Sequence, residues 1–235
     1  MIEPLAFLQS GLPRFSDARL SALAGTEGTQ RAWREALMAC TSSQILAAMC
    51  GVSGSFAVGL RLTNAKTFMA VDRFATLPLC YCVDQGQLWF ASSADDLAGA
   101  NRSIDPQAIF DYLYFHVIPS PRTIYREVFR LPAGHYALMD DGKLTVAPYW
   151  TPSFEEARNP SFDGLRDEFR TLLQGAVAAQ LEGGKPACFL SGGTDSSTVA
   201  GMIVSASDQQ AATYSIGFDS QGYDEMEYAR VAAKH

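Results

Sequence analysis

The stretch that decides the fold is Leu190-Ser191-Gly192-Gly193-Thr194-Asp195-Ser196-Ser197, LSGGTDSS. It follows the apolar run Ala187-Cys188-Phe189 and precedes a second one, TVAGMIV, at 198–204. A buried strand feeding a glycine turn that opens a helix belongs at the carboxyl edge of a parallel sheet, where open α/β folds bind ligands. Gly192 and Gly193 permit a sharp turn and keep Cβ atoms out of a ligand's way. The N–H groups that follow point unpaired into the turn, at the positive end of a helix dipole, which makes an anion site. Ser191, Ser196 and Ser197 add hydroxyl groups. Asp195 stands out, because a carboxylate repels a neighbouring phosphate. It is explained if it orients the loop, or if Mg²⁺ bridges it to phosphate oxygens. The segment has no Lys and lacks both the Walker A spacing and the G-x-G-x-x-G fingerprint, so it is a phosphate loop of another kind. The plain alternative is a capped helix start, for which Ser, Thr and Asp are the usual residues.

The surroundings favour the strand–loop–helix setting. Residues 162–184, FDGLRDEFRTLLQGAVAAQLEGG, have helical spacing, with Leu165, Phe169, Leu172, Leu173 and Val177 on one side and Gly183-Gly184 as a stop. Strand PACFL (186–190), helix STVAGMIVSAS (197–207), strand AATYSIGF (211–218) and helix DEMEYARVAAKH (224–235) then give a βαβα order. This is the start of a doubly wound parallel sheet.

Upstream the pattern differs. Residues 1–50 are poor in strand signals. They predict a short helix capped by Ser16 and ended by Gly25, then a helix through QRAWREALMACTS with Trp33, Leu37 and Met38 on one face. From Gly54 the period changes to that of a β-meander: SFAVGLRL, TFMAVDRF, LPLCYCVD and QLWFASS, with turns at Thr63-Asn64, Ala75-Thr76 and Gln85-Gly86. Asp105-Pro106 opens a helix through QAIFDYLYFHV that IPSPRT breaks. HYALMDDGKLTVAPYW reads as a hairpin turning at Asp141-Gly142. The polar TPSFEEARNPS is a linker. The domains expected are 1–150, a linker at 151–160, and 161–235.

Composition narrows the function classes. The 235 residues are 48% hydrophobic and 18% charged, with a net charge of −7 and no Lys/Arg-rich run. A nucleic-acid-binding surface needs such a patch and is not expected. No apolar run reaches the roughly 18–20 residues of a membrane span, and the N-terminus has no basic leader, so a cytoplasmic protein with no membrane partner is expected. The five cysteines, Cys40, Cys50, Cys80, Cys82 and Cys188, match no zinc spacing. They read as reduced, mostly buried small hydrophobes, Cys80 and Cys82 sharing one face of a strand.

LSGGTDSS resembles the pyrophosphate loop (PP-loop) of ATP-pyrophosphatases. TYSIGFDSQGYDEMEYARVAAKH (213–235) narrows the resemblance to the asparagine synthetase family, in which S-[IV]-G-F is followed by D-E and a helix ending in A..VA..H. VSGSFAVGLRL, TFMAVDRFATLPLCYC and GQLWFASSADDLAG are similar to the second half of that family's glutaminase-type domain, and residues 104–150 to the segment joining its two domains.

The fold implied is an α+β N-terminal domain like a degenerate Ntn-type glutaminase, a β-meander plus helices. The start of an α/β doubly wound PP-loop adenylation domain follows. The activity implied is ATP-dependent amide formation. A carboxylate of a small molecule or peptide attacks the α-phosphorus of ATP, giving an acyl-adenylate and pyrophosphate, and ammonia or another amine displaces AMP. On this resemblance Ser191, Gly192, Gly193, Ser196 and Ser197 hold the β,γ-phosphates and Asp195 holds Mg²⁺. Ser191, Asp195 and Ser196 carry the chemistry, and Leu190, Ile216 and Gly217 line the adenine and ribose pocket. Asp224 and Glu225 are either acids favoured at a helix N-terminus or a second contact to metal or nucleotide.

Three departures matter. Glutamine-using members expose an N-terminal cysteine, whereas residue 2 here is Ile, and Cys40 or Cys50 cannot replace a thiol joined to an α-amine. Glutamine hydrolysis is therefore not expected. Members without that cysteine include β-lactam-forming synthetases and lasso-peptide cyclases, which use an amine within the substrate. VDRFATLP keeps Asp72-Arg73, read as a structural ion pair, but has Ala75 where the family usually has Gly. Only two strands follow residue 185, where a doubly wound domain needs four or five. The chain is expected to be a fragment, inactive alone, with an apolar sheet edge exposed. A non-catalytic remnant and a homodimer both stay open.

Overall fold

A computed structural model describes residues 5–38, 40–99, 103–156, 161–181, 186–207, 210–219 and 224–235. The chain divides into two units, Met1–Ser153 and Phe154–His235. In the first, β1 (Phe7–Gly11) and β2 (Arg14–Phe15) lead into α1 (Ala18–Glu27), α2 (Thr29–Leu37) and α3 (Ser42–Cys50). Then come β3 (Val52–Ser53), β4 (Phe56–Arg61), β5 (Lys66–Val71), β6 (Cys80–Asp84), β7 (Gln87–Ala91), α4 (Pro106–Phe115), β8 (Phe129–Arg130), β9 (His135–Asp140) and β10 (Lys143–Pro148). The second unit holds α5 (Phe162–Ala178), β11 (Ala187–Phe189), α6 (Thr194–Ser207), β12 (Ala212–Tyr214) and α7 (Met226–Lys234).

The strands read as one meander fall into two sheets. β4 and β5 join an antiparallel five-stranded sheet of order β1-β4-β5-β9-β10, while β6 pairs with β7 and β8 in a separate three-stranded sheet. Burial explains the split. Phe56, Val58 and Leu60 of β4 pack with Trp33, Leu37, Ile45 and Met49 of the helices. Ala57 of β4 and Met69 and Val71 of β5 pack with Tyr81, Leu88 and Phe90 of the smaller sheet. A sheet covered on both faces needs apolar residues at every position, so its strands lose their alternation. Phe90's ring lies where a Cβ on Gly59 would project, so that glycine sets how closely the sheets approach. Each fully buried Leu, Phe or Met contributes about 1.5–3 kcal/mol.

The N-terminal expectations need correction. Phe7–Gly11 is a strand on the edge of the main sheet, paired with β4 from Phe7↔Leu60 to Gly11↔Phe56. Asp17, not Ser16, caps α1 by accepting from Leu20 N at 2.9 Å. The helix runs through Gly25 to Gly28, where φ is +91°, because one interior glycine costs only about 1 kcal/mol. QRAWREALMACTS is not one helix. α2 stops at Leu37, and α3 starts after Thr41, whose side chain and that of Gln44 form a capping box. Trp33 and Leu37 are buried, but Met38 is exposed.

Two other expectations hold. Asp105 caps α4, accepting from Gln107 N at 3.0 Å with Pro106 in the first turn. Asp141 and Gly142, both at positive φ, turn the β9–β10 hairpin. Arg122 ties the segment after α4 back to it, through Asp105 at 2.9 Å and Asp111 at 3.0 Å.

Asp72 and Arg73 do not pair with each other among the described residues. Asp72 is buried and accepts from Phe56 N (3.1 Å), Phe74 N (2.9 Å), Thr76 N (3.2 Å) and the Thr76 hydroxyl. Arg73 instead lies over the Trp150 ring, 5.8 Å from its centroid. The turn that Asp72 holds places Ala75 at φ +48°, a left-handed conformation that costs a non-glycine residue about 1–2 kcal/mol. Charge-assisted bonds to the carboxylate offset that cost. All five cysteines are free, and Cys80 and Cys82 share one small cluster with Leu97 and Val128. Cys40 and Cys188 are only half-buried and Cys50 is exposed, so burial is less general than expected. Among the described residues no helix is long and apolar enough to cross a membrane.

The second unit is thinly packed. Its buried apolar residues, among those described, are Leu190, Ile203 and Ala229. The stripe expected on α5 forms, but Leu165, Phe169 and Leu172 are exposed, with Leu173 and Val177 half-buried. The Gly183-Gly184 stop lies outside the described residues, as does the end of the linker.

Tyr149 gives the first unit a testable pH dependence. Its hydroxyl donates to Val71 O at 2.7 Å, and burial, then the charge of Asp72, pushes its pKa up to about 12. The phenol stays neutral in the fold while the unfolded chain ionises from about pH 10. Stability from this group is therefore complete below pH 10 and lost as pH rises towards 12, by roughly 2–3 kcal/mol. Urea unfolding at stepped pH should show that fall in the wild type and a flatter profile for Tyr149→Phe. Below pH 10 the variant should be less stable by about 1 kcal/mol, through the unpaired Val71 carbonyl.

Candidate functional site

β11 and β12 run parallel, in the register Ala187↔Ala212, Cys188↔Thr213 and Phe189↔Tyr214, with α6 connecting them. The half-buried Cys188 and Thr213 share one face, while Phe189 and Tyr214 lie exposed side by side on the other. The ladder's last backbone bond runs from Leu190 N to Tyr214 O at 2.8 Å. Beyond it the Ser215 hydroxyl donates to Leu190 O at 2.6 Å. The loop at Ser191 and the segment Ile216-Gly217 thus leave adjacent strand ends at the carboxyl edge of the pair.

The helix starts earlier than the sequence suggests. α6 begins at Thr194, so Thr194, Asp195, Ser196 and Ser197 form its first turn, and Ser197 N donates to Gly193 O at 3.1 Å. The N–H groups of Thr194, Asp195 and Ser196 have no acceptor among the described residues, as the first turn of a helix requires.

The hydroxyl groups behave differently from expectation. Ser191 Oγ and Ser196 Oγ are 3.0 Å apart and hydrogen-bonded. Ser191 Oγ also accepts from Gly193 N at 3.3 Å, and Ser196 Oγ accepts from Ser191 N at 3.2 Å. These two side chains close the loop on itself. Ser197 Oγ is shut off from solvent with no partner among the described residues. Asp195 is exposed, and no described protein group bonds its carboxylate. The Thr194 hydroxyl, also exposed, has no described side-chain partner either.

The two glycines are not equivalent. Gly192 has φ +85°, and the place of its missing Cβ is filled by the backbone of Tyr228 and Ala229 on α7. Its lack of a side chain lets α7 pack against the loop. A Cβ on Gly193 would meet only Ser191 Oγ, at 3.4 Å. Leu190 is buried, Ile216 is 68% exposed, and Gly217 abuts Met226 and Asp224. Asp224 Oδ1 accepts from Met226 N at 3.3 Å, and Glu225 sits at the N-cap of α7. Both acids thus stand at a helix start.

An open groove of about 1090 Å³ lies between α6 and α7, with Leu190, Gly192, Ser197, Gly201, Thr213 and Tyr228 in its walls. Among the described residues no group of three or more His, Cys, Asp or Glu side chains could hold a metal. The sequence reading missed Ser215, and also Tyr228 and Ala229 as the wall behind Gly192. A serine directly after a strand was the signal for the first.

A family model described as asparagine synthase matches residues 168–235, and one described as glutamine amidotransferase domain matches residues 24–150. Asparagine synthetase [glutamine-hydrolyzing] 1 of Bacillus subtilis is 31% identical over 171 residues, 70% of this chain and 26% of that protein. Carboxyethyl-arginine beta-lactam-synthase of Streptomyces clavuligerus is 31% identical over 188 residues, 78% of this chain and 34% of that protein. The chain thus spans a quarter to a third of the length of these relatives. A glutamine phosphoribosylpyrophosphate amidotransferase of B. subtilis, solved with ADP and GMP, aligns at TM-score 0.37 and 14% identity over 92% of this chain and 47% of that one. That likeness is too low to define a common fold.

The difference between the glycines can be measured. Gly192→Ala should destabilise the second unit by about 2 kcal/mol or more, through a positive φ and a backbone clash. Gly193→Ala should change stability by less than about 1 kcal/mol. Denaturant unfolding followed by the exchange of α6 and α7 amides reads both. Equal losses would show that the loop's geometry is misassigned.

Proposed function

This chain belongs to the asparagine synthetase family, and from that premise we propose that it works in ATP-dependent amide formation. A carboxylate is activated as an acyl-adenylate with release of pyrophosphate, and ammonia or an amine then takes the acyl group. The observation that carries this reading is the first turn of α6. Among the described residues, three N–H groups without an acceptor and one carboxylate without a protein partner sit together at the carboxyl end of a parallel strand. That donor set fits the β- and γ-phosphates of ATP.

The carboxylate among these groups fits a metal carried by the nucleotide. Mg²⁺ is commonly held by one or two carboxylates together with substrate phosphates, not by an all-protein cage. Asp195 supplies one such ligand, and Mg²⁺ would neutralise phosphate charge there. The N–H groups of Thr194, Asp195 and Ser196 would stabilise the charge gathering on departing pyrophosphate, which is the main catalytic contribution such a loop can make. Ser191 and Ser196 would act by holding the loop in shape. Leu190, Ile216 and Gly217 would border the adenine and ribose. Asp224 and Glu225 are better used as helix-start acids than as nucleotide contacts. Adenylation needs no proton-abstracting side chain, since a carboxylate is already the nucleophile; in the second step the attacking amine passes its proton to a base or to water.

The relative in Streptomyces clavuligerus supports a second reading of the later step. There the amine would be part of the activated substrate, and the amide would close a ring. The two readings share the adenylation site and differ only in the source of nitrogen.

Binding of ATP to the 235-residue chain, followed by calorimetry, tests the loop. Asp195→Asn should weaken ATP binding about tenfold in Mg²⁺ and strengthen it in EDTA, where the carboxylate only repels phosphate. A loss of the same size in both conditions would rule out the metal role. In the whole gene product, turnover with the right acid should yield AMP and pyrophosphate. ADP and inorganic phosphate as the products would defeat the adenylate reading.

A further inference from the structure

Ser215 sits where the β11–β12 ladder stops. In a parallel pair the bonds alternate along the two strands. After Leu190 N to Tyr214 O, the next would run from Ile216 N to Leu190 O. That bond is absent among the described residues. The Ser215 hydroxyl occupies the same acceptor, at 2.6 Å, a short and well-formed bond. Side chain has replaced main chain at the one position where the phosphate loop must part from the neighbouring strand.

We propose that Ser215 is a positioning residue that ends the ladder at Leu190, leaving the Ile216 and Gly217 backbone groups for the base of an adenine nucleotide. The consequences follow from the geometry. Leu190 O, the last acceptor before the loop, is satisfied and stays fixed. Among the described residues Ile216 N has no acceptor, and it sits beside an exposed apolar side chain. An unpaired N–H next to apolar surface, one strand away from an anion loop, suits a flat heteroaromatic ring with an acceptor nitrogen whose phosphates reach the loop. A Cβ on Gly217 would meet Met226 Cγ at 2.9 Å, so the glycine lets α7 pack close beside this strand end. With no Ser215 hydroxyl, Ile216 N can swing to Leu190 O, and the ladder closes by one more bond. The donor then belongs to the sheet and not to the ligand.

This inference rests on the nucleotide reading only in its second half. The experiment therefore has an arm without ligand and an arm with it. Wild type, Ser215→Ala and Ser215→Thr are made in the full 235-residue chain. Amide exchange by NMR, with no ligand, should show Ile216 exchanging fast in wild type and Ser215→Thr but protected at least tenfold in Ser215→Ala. Equal protection of Ile216 in all three would overturn the latch. In the ligand arm, Ser215→Ala should weaken Mg²⁺–ATP binding by roughly three- to tenfold, the worth of one hydrogen bond. Inorganic pyrophosphate binding should be unchanged, and Ser215→Thr should restore ATP affinity. Equal losses for ATP and pyrophosphate would mean that Ser215 only supports the fold, and the positioning role would fall. If wild type binds neither ligand, the nucleotide reading fails by itself, and the exchange of Ile216 still decides whether the latch exists.

Discussion

The second unit turns on one carbonyl group, that of Leu190. It is the last acceptor of β11, it receives the Ser215 hydroxyl, and the residue that bears it is one of the few fully buried in the unit. Everything after it departs from the sheet. Ser191 begins a loop closed by its own hydroxyl groups, and Gly192 turns the chain at a positive φ against the backbone of α7. By Thr194 the chain is helical. A fixed carbonyl at the strand end therefore converts into a fixed orientation of the first-turn N–H groups four residues later. A loop anchored only by glycines would have no such definition, because glycine contributes freedom and no contacts.

The first unit solves a different problem. Its central sheet must be covered on both faces, and the chain must cross from one sheet to the other between β5 and β6. Asp72 manages that crossing. Its carboxylate gathers donors from Phe56 at the start of β4 and from Phe74 and Thr76 in the turn, while Gly134 N donates to its carbonyl from the approach to β9. A buried carboxylate is expensive unless each lone pair is used, and here the bonds come from strands of one sheet and the segment leading to the other. Tyr149 lies beside it and hydrogen-bonds Val71, the residue before Asp72. The charged and phenolic groups in this layer are thus structural, and the resemblance to an ion pair in the sequence concealed a hydrogen-bond hub.

What was legible in the sequence follows a physical rule. Features written in local chemistry came through: the Asp105 cap with its proline, the Asp141-Gly142 turn, and the strand–loop–helix at LSGGTDSS. Features that depend on a distant partner did not. Phe7–Gly11 carries no strand pattern of its own and is a strand because β4 offers it an edge. One meander became two sheets because apolar residues on both faces of β4 and β5 demand a second layer, which periodicity alone cannot assign to a neighbour. The Thr41–Gln44 capping box was local and could have divided α2 from α3, but the apolar spacing across it imitated a continuous helix. The packing of α7 against Gly192 is likewise invisible, because a sequence shows that a side chain is missing but not what fills its place. The bond from Ser215 is equally hidden, since its partner Leu190 lies 25 residues earlier.

Charge gives the site its remaining logic. The chain carries a net charge of −7, so its overall field opposes a nucleotide anion, and binding must come from local dipoles and a counterion. The loop contains no lysine or arginine to act as that counterion. Backbone N–H groups supply partial positive charge without adding net charge, and on the proposed reading the carboxylate of Asp195 would act as a gate. It would repel bare phosphate and become a ligand to a divalent cation. On the proposed reading this makes the site selective for the metal complex of ATP over the free anion, and it does so with a residue that looks, in isolation, like an error in an anion-binding loop.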